Sequence, residues 1–277
     1  MAKNSKGKNI THLYKYMNMD CNKVWDILIN ESLFFYPPTK FNDPYDCKIQ
    51  FNYDDCTESD FREIFTSFLR KANSTRPEND IIKEVDKIIA SGGHMSERWR
   101  SKFREHAKRE LQPDLDRMGL LCLSEDRDNI LLWAHYADNH KGLCFEFDSK
   151  VLQEKYYCKK IEYEKKYISL KEFYWPFHNE QNEECARLLL LRKSEHWEYE
   201  NEWRIIIDWQ EIEKRGGTRL FKMPEHLLTG IILGLEMDKK DKEKVRDMIH
   251  RFGLKPKLYE AKKDESSFRL NIEEVPL

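Results

Sequence analysis

The side chains best suited to chemistry lie close together on a short predicted helix over 129–141. His135 and Asn139 fall one helical turn apart, and Asp138 lies on the same side as His135. Tyr136 flanks this group. The cluster is interpreted either as a hydrogen-bonded, half-buried histidine with its neighbours or as a site that positions and polarises a ligand. The residues alone leave both interpretations open.

The same stretch shows how these side chains would be held. Its apolar residues recur with helical spacing and predict one buried stripe: Ile130, Trp133, Ala134 and Ala137. Asp128 or Asn129 can cap the start, and Gly142 suits a left-handed stop. From Leu143 apolar and other residues alternate, which is strand period. The stretch is therefore predicted to be a helix that runs directly into a strand.

A second stretch, Trp197–Asp208, alternates with strand period over its whole length. The alternation puts the charged residues on one face: Glu198, Glu200, Glu202 and Arg204. This face turns apolar at Ile206, so Glu202 and Arg204 stand side by side where the strand enters the core. They form either an ordinary ion pair on an exposed edge, or a cleft carboxylate that an arginine orients. Such a carboxylate can bond a hydroxyl or stabilise developing positive charge.

Other polar side chains stand at the ends of predicted elements. Ser124 ends the apolar run Gly119–Ser124, where it can either bond a ligand phosphate together with helix N–H groups or cap the turn. Asn42 and Asp43 precede Pro44, which is turn chemistry because Asn and Asp bond their own backbone and proline fixes φ. The first predicted strand adds Tyr14, Lys15 and Tyr16.

The composition excludes several classes of protein. Lys+Arg 48 and Asp+Glu 50 give a net charge of −2, so the overall charge favours neither nucleic acid nor an anionic membrane. No apolar run approaches the ~18 residues of a transmembrane helix, and the basic N-terminus lacks the apolar core of a secretory signal. The 7 cysteines are never spaced C-x-x-C, which favours reduced thiols in a cytoplasm. We expect a cytoplasmic protein without membrane attachment.

Motifs for metals and phosphates are absent from the sequence. His135 and His140 are five positions apart, which is about 140° around a helix, so they cannot bind one metal ion from that helix. The glycine pairs 92–93 and 216–217 match neither Gly-rich phosphate pattern. We therefore expect no metal.

Residues 54–118 are predicted to be a helical insertion within a single domain, 1–277. Apolar spacings of three and four predict its helices: Asp60–Lys71, Asn79–Ser91 and Ser96–Met118. The insertion is interpreted as scaffolding, as a partner-binding cap or as a lid over a site.

Three motifs together resemble one uncharacterised bacterial family, catalogued as domain of unknown function 2971. They are Phe41-Asn42-Asp43-Pro44-Tyr45-Asp46, Leu132-Trp133-Ala134-His135-Tyr136-Ala137-Asp138-Asn139-His140-Lys141-Gly142 and Trp197-Glu198-Tyr199-Glu200-Asn201-Glu202-Trp203-Arg204. Leu13-Tyr14-Lys15-Tyr16 and Ile231-Ile232-Leu233-Gly234 also fit. The family name carries no activity with it.

A second, weaker resemblance is to ADP-ribosyltransferase-like domains. The opening is similar in its order of a strand (Leu-Tyr-Lys-Tyr), a helix and a strand (Leu-Phe-Phe-Tyr), and the late pattern Asn201-Glu202-Trp203-Arg204-Ile205-Ile206, Met223-Pro224 and Gly230-Ile231-Ile232-Leu233 is similar too. This resemblance implies an α+β fold with a mixed, largely antiparallel, split β-sheet core. It also implies NAD as cofactor and Glu202 as the catalytic acid. Tyr36 is then the second-strand aromatic, and Lys15 stands where His or Arg is usual.

The leading hypothesis is an enzyme that cleaves NAD or a related nucleotide, or transfers ADP-ribose to a protein or nucleic acid acceptor. Glu202 would bond the ribose 2′-hydroxyl, and His135 would orient the nucleotide or accept a proton. The other candidates complete the expected site: Tyr14, Tyr36 and Tyr136 for stacking, and Lys15, Asn42, Asp43, Ser124 and Arg204 for the nucleotide. Related bacterial enzymes are often toxins or phage-defence effectors. The alternatives are a nucleic-acid-processing or nucleic-acid-binding protein and a non-enzymatic interaction protein.

Overall fold

The computed structural model describes residues 9–72, 75–93, 96–178 and 182–277. The strands are β1 (His12–Met17), β2 (Ser32–Phe34), β3 (Gly119–Ser124), β4 (Leu143–Asp148), β5 (Cys158–Lys160), β6 (Glu162–Glu164), β7 (Arg192–Ser194), β8 (Glu202–Ile207), β9 (Leu220–Lys222), β10 (Leu228–Leu233), β11 (Lys257–Lys263) and β12 (Leu270–Val275). The helices are α1 (Asn22–Leu28), α2 (Glu58–Ala72), α3 (Glu78–Ala90), α4 (Glu97–Arg117), α5 (Ile130–Tyr136), α6 (Ser149–Lys155), α7 (Leu170–His178), α8 (Asn182–Leu190), α9 (Trp209–Lys214) and α10 (Lys239–Arg251).

Two compact units share the chain. The sheet unit consists of Met1–Lys40, Met118–Ile161 and His196–Leu277. The helical unit consists of Phe41–Arg117 and Glu162–Glu195. The three helices predicted within 54–118 are present as α2, α3 and α4, and their unit also takes in α7, α8, β6 and β7. The single domain expected from the sequence stays a prediction.

The sheet unit is built on eight strands in the order β12-β11-β10-β4-β1-β3-β8-β5. Its neighbouring strands are antiparallel except β10 and β11, which are parallel. A separate antiparallel pair joins β2 to β9. The predicted α+β class with a mixed, largely antiparallel sheet is thereby confirmed.

The pairing between β1 and β3 is short. β1 pairs with β4 along its full length, from His12 to Met17, but with β3 the register pair is Tyr14 with Ser124. Leu120 of β3 forms an isolated bridge with Tyr36. The two strands therefore part beyond Tyr14, close to the middle of the sheet.

Alternation along the strands gives the sheet two different faces. One face carries the larger apolar core, which α1, α6, α9 and α10 cover with buried side chains such as Val24, Leu152, Ile212 and Val245. The other face carries Tyr14, Tyr16 and Cys144, against which α5 places Leu132, Trp133 and Ala137. Because Trp203 and Ile205 belong to the first core, alternation turns Glu202 and Arg204 toward the α5 face.

The predicted strand Trp197–Asp208 begins later than expected. Residues Glu195–Glu200 form a 3₁₀ helix, and the extended chain starts at Glu202. Asn201 lies between them with a φ of 43°, in the left-handed region, which ends the helical turn and redirects the chain. Aromatic and acidic residues alternate in this segment with the period of a strand, but the segment is not a strand.

The helical unit has an aromatic core of its own. The centroid of the Phe51 ring lies 5.6 Å from that of Phe103 and 4.8 Å from that of Phe173. The Phe65 ring lies 5.4 Å from the Trp99 ring, again between centroids. Among the described residues, no helix is long and apolar enough to cross a membrane.

Candidate functional site

Four polar side chains form a row across the middle of the large sheet. The register pairs Glu146 of β4 with Tyr14 of β1, Tyr14 with Ser124 of β3, and Ser124 with Glu202 of β8. Directly paired residues point to the same face, so the four share the α5 face. All are buried, with Glu202 exposed by 3% and Glu146 by 4%. A polar row at this depth needs partners for each of its groups.

Glu202 is oriented by an arginine of its own strand. Arg204 Nε donates to Oε1 at 2.7 Å and Nη2 donates to Oε2 at 3.2 Å, and the Arg204 side chain is fully buried. Two parallel N–H···O bonds fix the plane of the carboxylate as well as its position. The prediction that these residues share a face is confirmed, and the exposed-edge alternative does not fit their burial.

Cys122 lies beside this pair, since the register sets it opposite Arg204. Burial and the neighbouring Glu202 charge raise the pKa of the Cys122 thiol to about 12, and Arg204 and Lys15 offset this only partly. The thiol also shares a hydrogen bond with Glu202. The thiol therefore stays protonated and donates to Glu202 as a weak donor.

A second buried carboxylate, that of Glu146, was not among the residues expected from the sequence. Thr229 Oγ1 donates to its Oε1 at 2.9 Å, and Tyr14 Oη donates to its Oε2 at 3.2 Å. His12 Nε2 and Arg127 Nη1 lie 3.8 and 4.0 Å away. Burial and then Glu146 raise the pKa of Tyr14, so its hydroxyl remains a donor. The available signal was a glutamate at an inward position of an otherwise apolar strand.

The stretches 129–141 and 195–201 meet through hydrogen bonds. Asn129 caps α5 by accepting from two backbone N–H groups, and its Nδ2 donates to the Tyr199 carbonyl at 2.7 Å. Tyr136 Oη donates to Glu200 Oε1 at 2.6 Å, and Ser124 Oγ donates to the Glu200 carbonyl at 2.6 Å. This network fixes α5 and the 3₁₀ helix against the end of β3.

The predicted helix over 129–141 ends at Tyr136, and its C-terminal loop is unusual. Asp138, Asn139 and His140 follow one another with φ values of 46°, 52° and 69°. Such left-handed conformations are uncommon for residues other than glycine and are enriched in Asn, Asp and His. The left-handed stop expected at Gly142 is therefore supplied by three residues before it. Gly142 is needed for a different reason, because a Cβ there would lie 2.2 Å from the Met17 carbonyl oxygen.

His135 lies at the surface, beside the rings of two tyrosines. Its ring centroid is 6.2 Å from that of Tyr136 and 6.5 Å from that of Tyr199. The Trp197 ring follows 6.0 Å from Tyr199. We call these four residues the aromatic patch. His135 is exposed and the other three are half-buried, so the patch is accessible.

Lys15 and Tyr36 form a separate pair where β1 and β3 part. Lys15 Nζ lies 6.0 Å from the centroid of the Tyr36 ring, and Tyr36 Oη lies 3.7 Å from Cys21 Sγ. Lys15 has no ion-pair partner within the part of the chain that the structure describes. Alternation along β1 turns Lys15 away from the face that carries Tyr14.

Asn42 and Asp43 belong to the helical unit. Asn42 is exposed, while Asp43 is buried and its Oδ1 accepts from the Tyr45 N–H at 2.8 Å. Asp43 Oδ2 is buried without a hydrogen-bond partner among the described residues. The turn predicted at Asn-Asp-Pro is thus an Asx-type turn built on Asp43.

The expected site residues therefore fall into four groups rather than one: Tyr14, Ser124, Glu202 and Arg204 in the buried row; His135 and Tyr136 in the aromatic patch; Lys15 with Tyr36; and Asn42 with Asp43 in the helical unit. Within the described ranges, no group of three or more His, Cys, Asp or Glu side chains could hold a metal ion.

The fold and the site define an α+β protein with a buried, arginine-oriented carboxylate on its central sheet. Residues 132–205 match the family model described as protein of unknown function DUF2971, which confirms the resemblance for the motifs at 132–142 and 197–204. The motifs at 13–16, 41–46 and 231–234 lie outside the matched segment. The matched segment runs from α5 into β8 and includes both row carboxylates, Glu146 and Glu202. Comparison with curated proteins and with solved structures found no match.

Proposed function

We propose that the sheet unit cleaves the bond between nicotinamide and ribose in NAD or a related nucleotide, by hydrolysis or by transfer of ADP-ribose to an acceptor. The observation that carries this proposal is the buried row in which Glu202 lies beside Ser124 and is oriented by Arg204. A fixed carboxylate stabilises the positive charge that develops on ribose C1′ as nicotinamide leaves. Beyond Tyr14 and Ser124 the strands β1 and β3 no longer pair, and the proposal puts the nucleotide at this place.

In the proposed reaction Glu202 accepts a hydrogen bond from a ribose hydroxyl, which replaces the weaker Cys122 thiol donor. The C1′–nitrogen bond breaks, and its electron pair leaves with neutral nicotinamide. C1′ then bonds to the oxygen of water or to an acceptor nucleophile, whose proton passes to His135. Lys15 is turned away from the face that carries Tyr14 and Glu202, so Lys15 and Tyr36 have no contact assigned to them in this scheme. Asn42 and Asp43 have no part in this scheme.

The cellular part of the proposal is a toxin or phage-defence effector in a bacterial cytoplasm. It is supported by the resemblance to ADP-ribosyltransferase-like domains in the order of the first strands and the late glutamate. No disulfide joins any of the seven cysteines, all of which the structure describes, as a reducing compartment favours.

The test follows nicotinamide release from NAD by the pure protein. Wild type should release nicotinamide, and Glu202→Gln should lower the rate at least about 100-fold, because it removes the charge that stabilises the transition state. Glu146→Gln is the matched control, since it removes another buried carboxylate of the same row and leaves the partners of Glu202 in place. This control should keep most of the turnover.

Thermal denaturation checks that each variant folds. Glu202→Asp, which retains the charge and moves it by one methylene, replaces Glu202→Gln if the latter does not fold. Full turnover by Glu202→Gln would contradict the proposal. So would equal losses in the two glutamine variants, or no release by wild type from NAD and NADP.

A further inference from the structure

The aromatic patch is partly exposed, because His135 is exposed and its other three residues are half-buried. Trp197, Tyr199, His135 and Tyr136 lie with neighbouring ring centroids 6.0 to 6.5 Å apart. Leu131, on the same short helix as His135, is 44% exposed. The segments that carry these rings are held by two hydrogen bonds, from the Asn129 side chain to the Tyr199 carbonyl and from the Tyr136 hydroxyl to the Glu200 carboxylate. The rings are therefore presented on a fixed base rather than on a loose loop.

Three exposed carboxylates lie close in sequence to the residues that carry these rings. Glu198 lies between Trp197 and Tyr199 in the chain, and Asp138 follows His135 by three residues. Asp128 directly precedes Asn129, whose side chain binds the Tyr199 carbonyl. None of the three carboxylates has an ion-pair or hydrogen-bond partner for its side chain among the described residues.

Opposing charge at this surface is sparse. Lys141, at the far end of the loop after α5, is exposed and also lacks an ion-pair partner within the described chain. Arg127 is directed elsewhere, with Nη1 4.0 Å from Glu146 and its guanidinium 5.7 Å from the centre of the Tyr259 ring. Lys263 is a second exposed ammonium without an ion-pair partner among the described residues, and its charge acts on His140 in the same loop. Three carboxylates against two ammonium groups leave the surroundings of the rings negative.

We propose that the aromatic patch binds a basic protein segment, with an arginine or lysine side chain set against the rings and its neighbours facing the carboxylates. A cation is attracted to the face of Trp and Tyr rings, and the attraction adds to that of nearby carboxylates. A phosphate backbone would be repelled by the same charges. Arginine should bind more tightly than lysine, because its planar guanidinium also stacks on aromatic rings. This proposal shares His135 with the proposed NAD chemistry, but it does not depend on Glu202.

The test titrates the full-length protein with hexa-arginine, blocked at both ends, by calorimetry and by the NMR signals of the His135 ring. Saturable binding with a shift of the His135 signals is expected, and added salt should weaken it. Hexa-lysine should bind more weakly, and hexa-glutamate and oligouridine should not bind.

Two sets of variants locate the binding. Asp128→Asn, Asp138→Asn and Glu198→Gln together should weaken binding about tenfold, since each removes an exposed attraction. The matched control removes three exposed, unpaired carboxylates elsewhere on the sheet unit, through Glu225→Gln, Glu243→Gln and Asp247→Asn. Its net charge is the same as that of the first set, so only position differs.

Tyr199→Leu should weaken binding about threefold through loss of the ring face. Its control is Tyr157→Leu, which removes an exposed tyrosine of the sheet unit outside the aromatic patch. If Tyr199→Leu does not fold, His135→Leu at the exposed position replaces it. Glu202→Gln should bind like wild type, so a failure of NAD cleavage would leave this result standing. Equal weakening by both charge sets, tighter binding of oligouridine, or no binding of hexa-arginine would overturn the proposal.

Discussion

Glu202 and Arg204 have opposite effects on the pKa of the neighbouring Cys122 thiol. The Glu202 charge disfavours ionisation of the Cys122 thiol, whereas Arg204 favours it. Glu202 and Arg204 are buried and Cys122 is half-buried, so these interactions are stronger than they would be in water. The state of Cys122 is therefore a local measure of whether the Glu202–Arg204 pair is formed.

We predict that Cys122 reacts slowly with iodoacetamide and that Glu202→Gln accelerates the reaction. A pKa of about 12 leaves roughly one thiol in ten thousand ionised at pH 8. Removing the Glu202 charge lowers this pKa, and the unpaired Arg204 lowers it further. The rate of labelling is measured by mass spectrometry of the Cys122 peptide across pH.

Cys158 is the control for this experiment. Burial raises its pKa to about 12 as well, but Glu202 does not contribute. Its labelling should stay slow in Glu202→Gln. If both cysteines label faster to the same extent, the variant has loosened the sheet, and the electrostatic explanation fails.

The sequence allowed these residues to be placed on faces but not to be brought together. Alternation correctly put Glu202 beside Arg204, because period-2 patterning is local. The row also requires strand order and register, and Tyr14 and Glu146 are 132 positions apart. No local pattern contains that pairing, so the Glu146 carboxylate was missed.

At the scale of elements, local signals were reliable where capping and periodicity agreed. α10 begins after Asp238, whose carboxylate accepts from the Asp241 N–H, and its apolar spacing buries Val245 and Ile249. The strand prediction was wrong over Glu195–Glu200, where the alternation was coincidental and the residues form a 3₁₀ helix. The chain becomes extended only after Asn201, which has a left-handed conformation. A hydrophobic pattern does not indicate which residues have a positive φ angle.

The loop after α5 packs tightly against two neighbouring strands, and two glycines allow the backbones to approach this closely. A Cβ on Gly142 would lie 2.2 Å from the Met17 carbonyl oxygen, and a Cβ on Gly234 would lie 2.2 Å from the His140 carbonyl oxygen. The Gly234 N–H in turn donates to the Gly142 carbonyl at 2.9 Å. The ends of β1 and β10 and the left-handed loop are thereby held in contact.

We predict that Gly142→Ala and Gly234→Ala each destabilise the protein by about 3 kcal/mol or more, because backbone must move to admit the methyl group. Gly253→Ala is the control. Gly253 has a φ of +64° and open space at its Cβ, so it should cost only about 1 kcal/mol. Urea denaturation gives the free energies of unfolding. A cost at Gly142 no larger than at Gly253 would show that the loop yields easily.

At the scale of the whole molecule, the chain builds two cores from interleaved segments. The helical unit consists of two excursions of the chain, Phe41–Arg117 and Glu162–Glu195. Each is an insertion in the sequence, preceded and followed by residues of the sheet unit. The sequence revealed the first excursion as a helical insertion, since its three helices have strong spacing. It did not reveal that the second excursion joins the same unit, because that association is again long-range.

Hydrogen exchange can decide whether these cores open separately. Phe103 is buried in the helical unit, where its ring lies 5.6 Å from Phe51, and Phe103→Ala should cost that core about 3–5 kcal/mol. We predict that exchange then accelerates in 41–117 and 162–195 while the amides of β3, β4 and β8 keep their protection, because structures open in units that share a core. Phe147→Ala, in the sheet-unit core, is the reciprocal control and should accelerate the sheet amides. A single cooperative domain would instead show faster exchange throughout the chain in both variants.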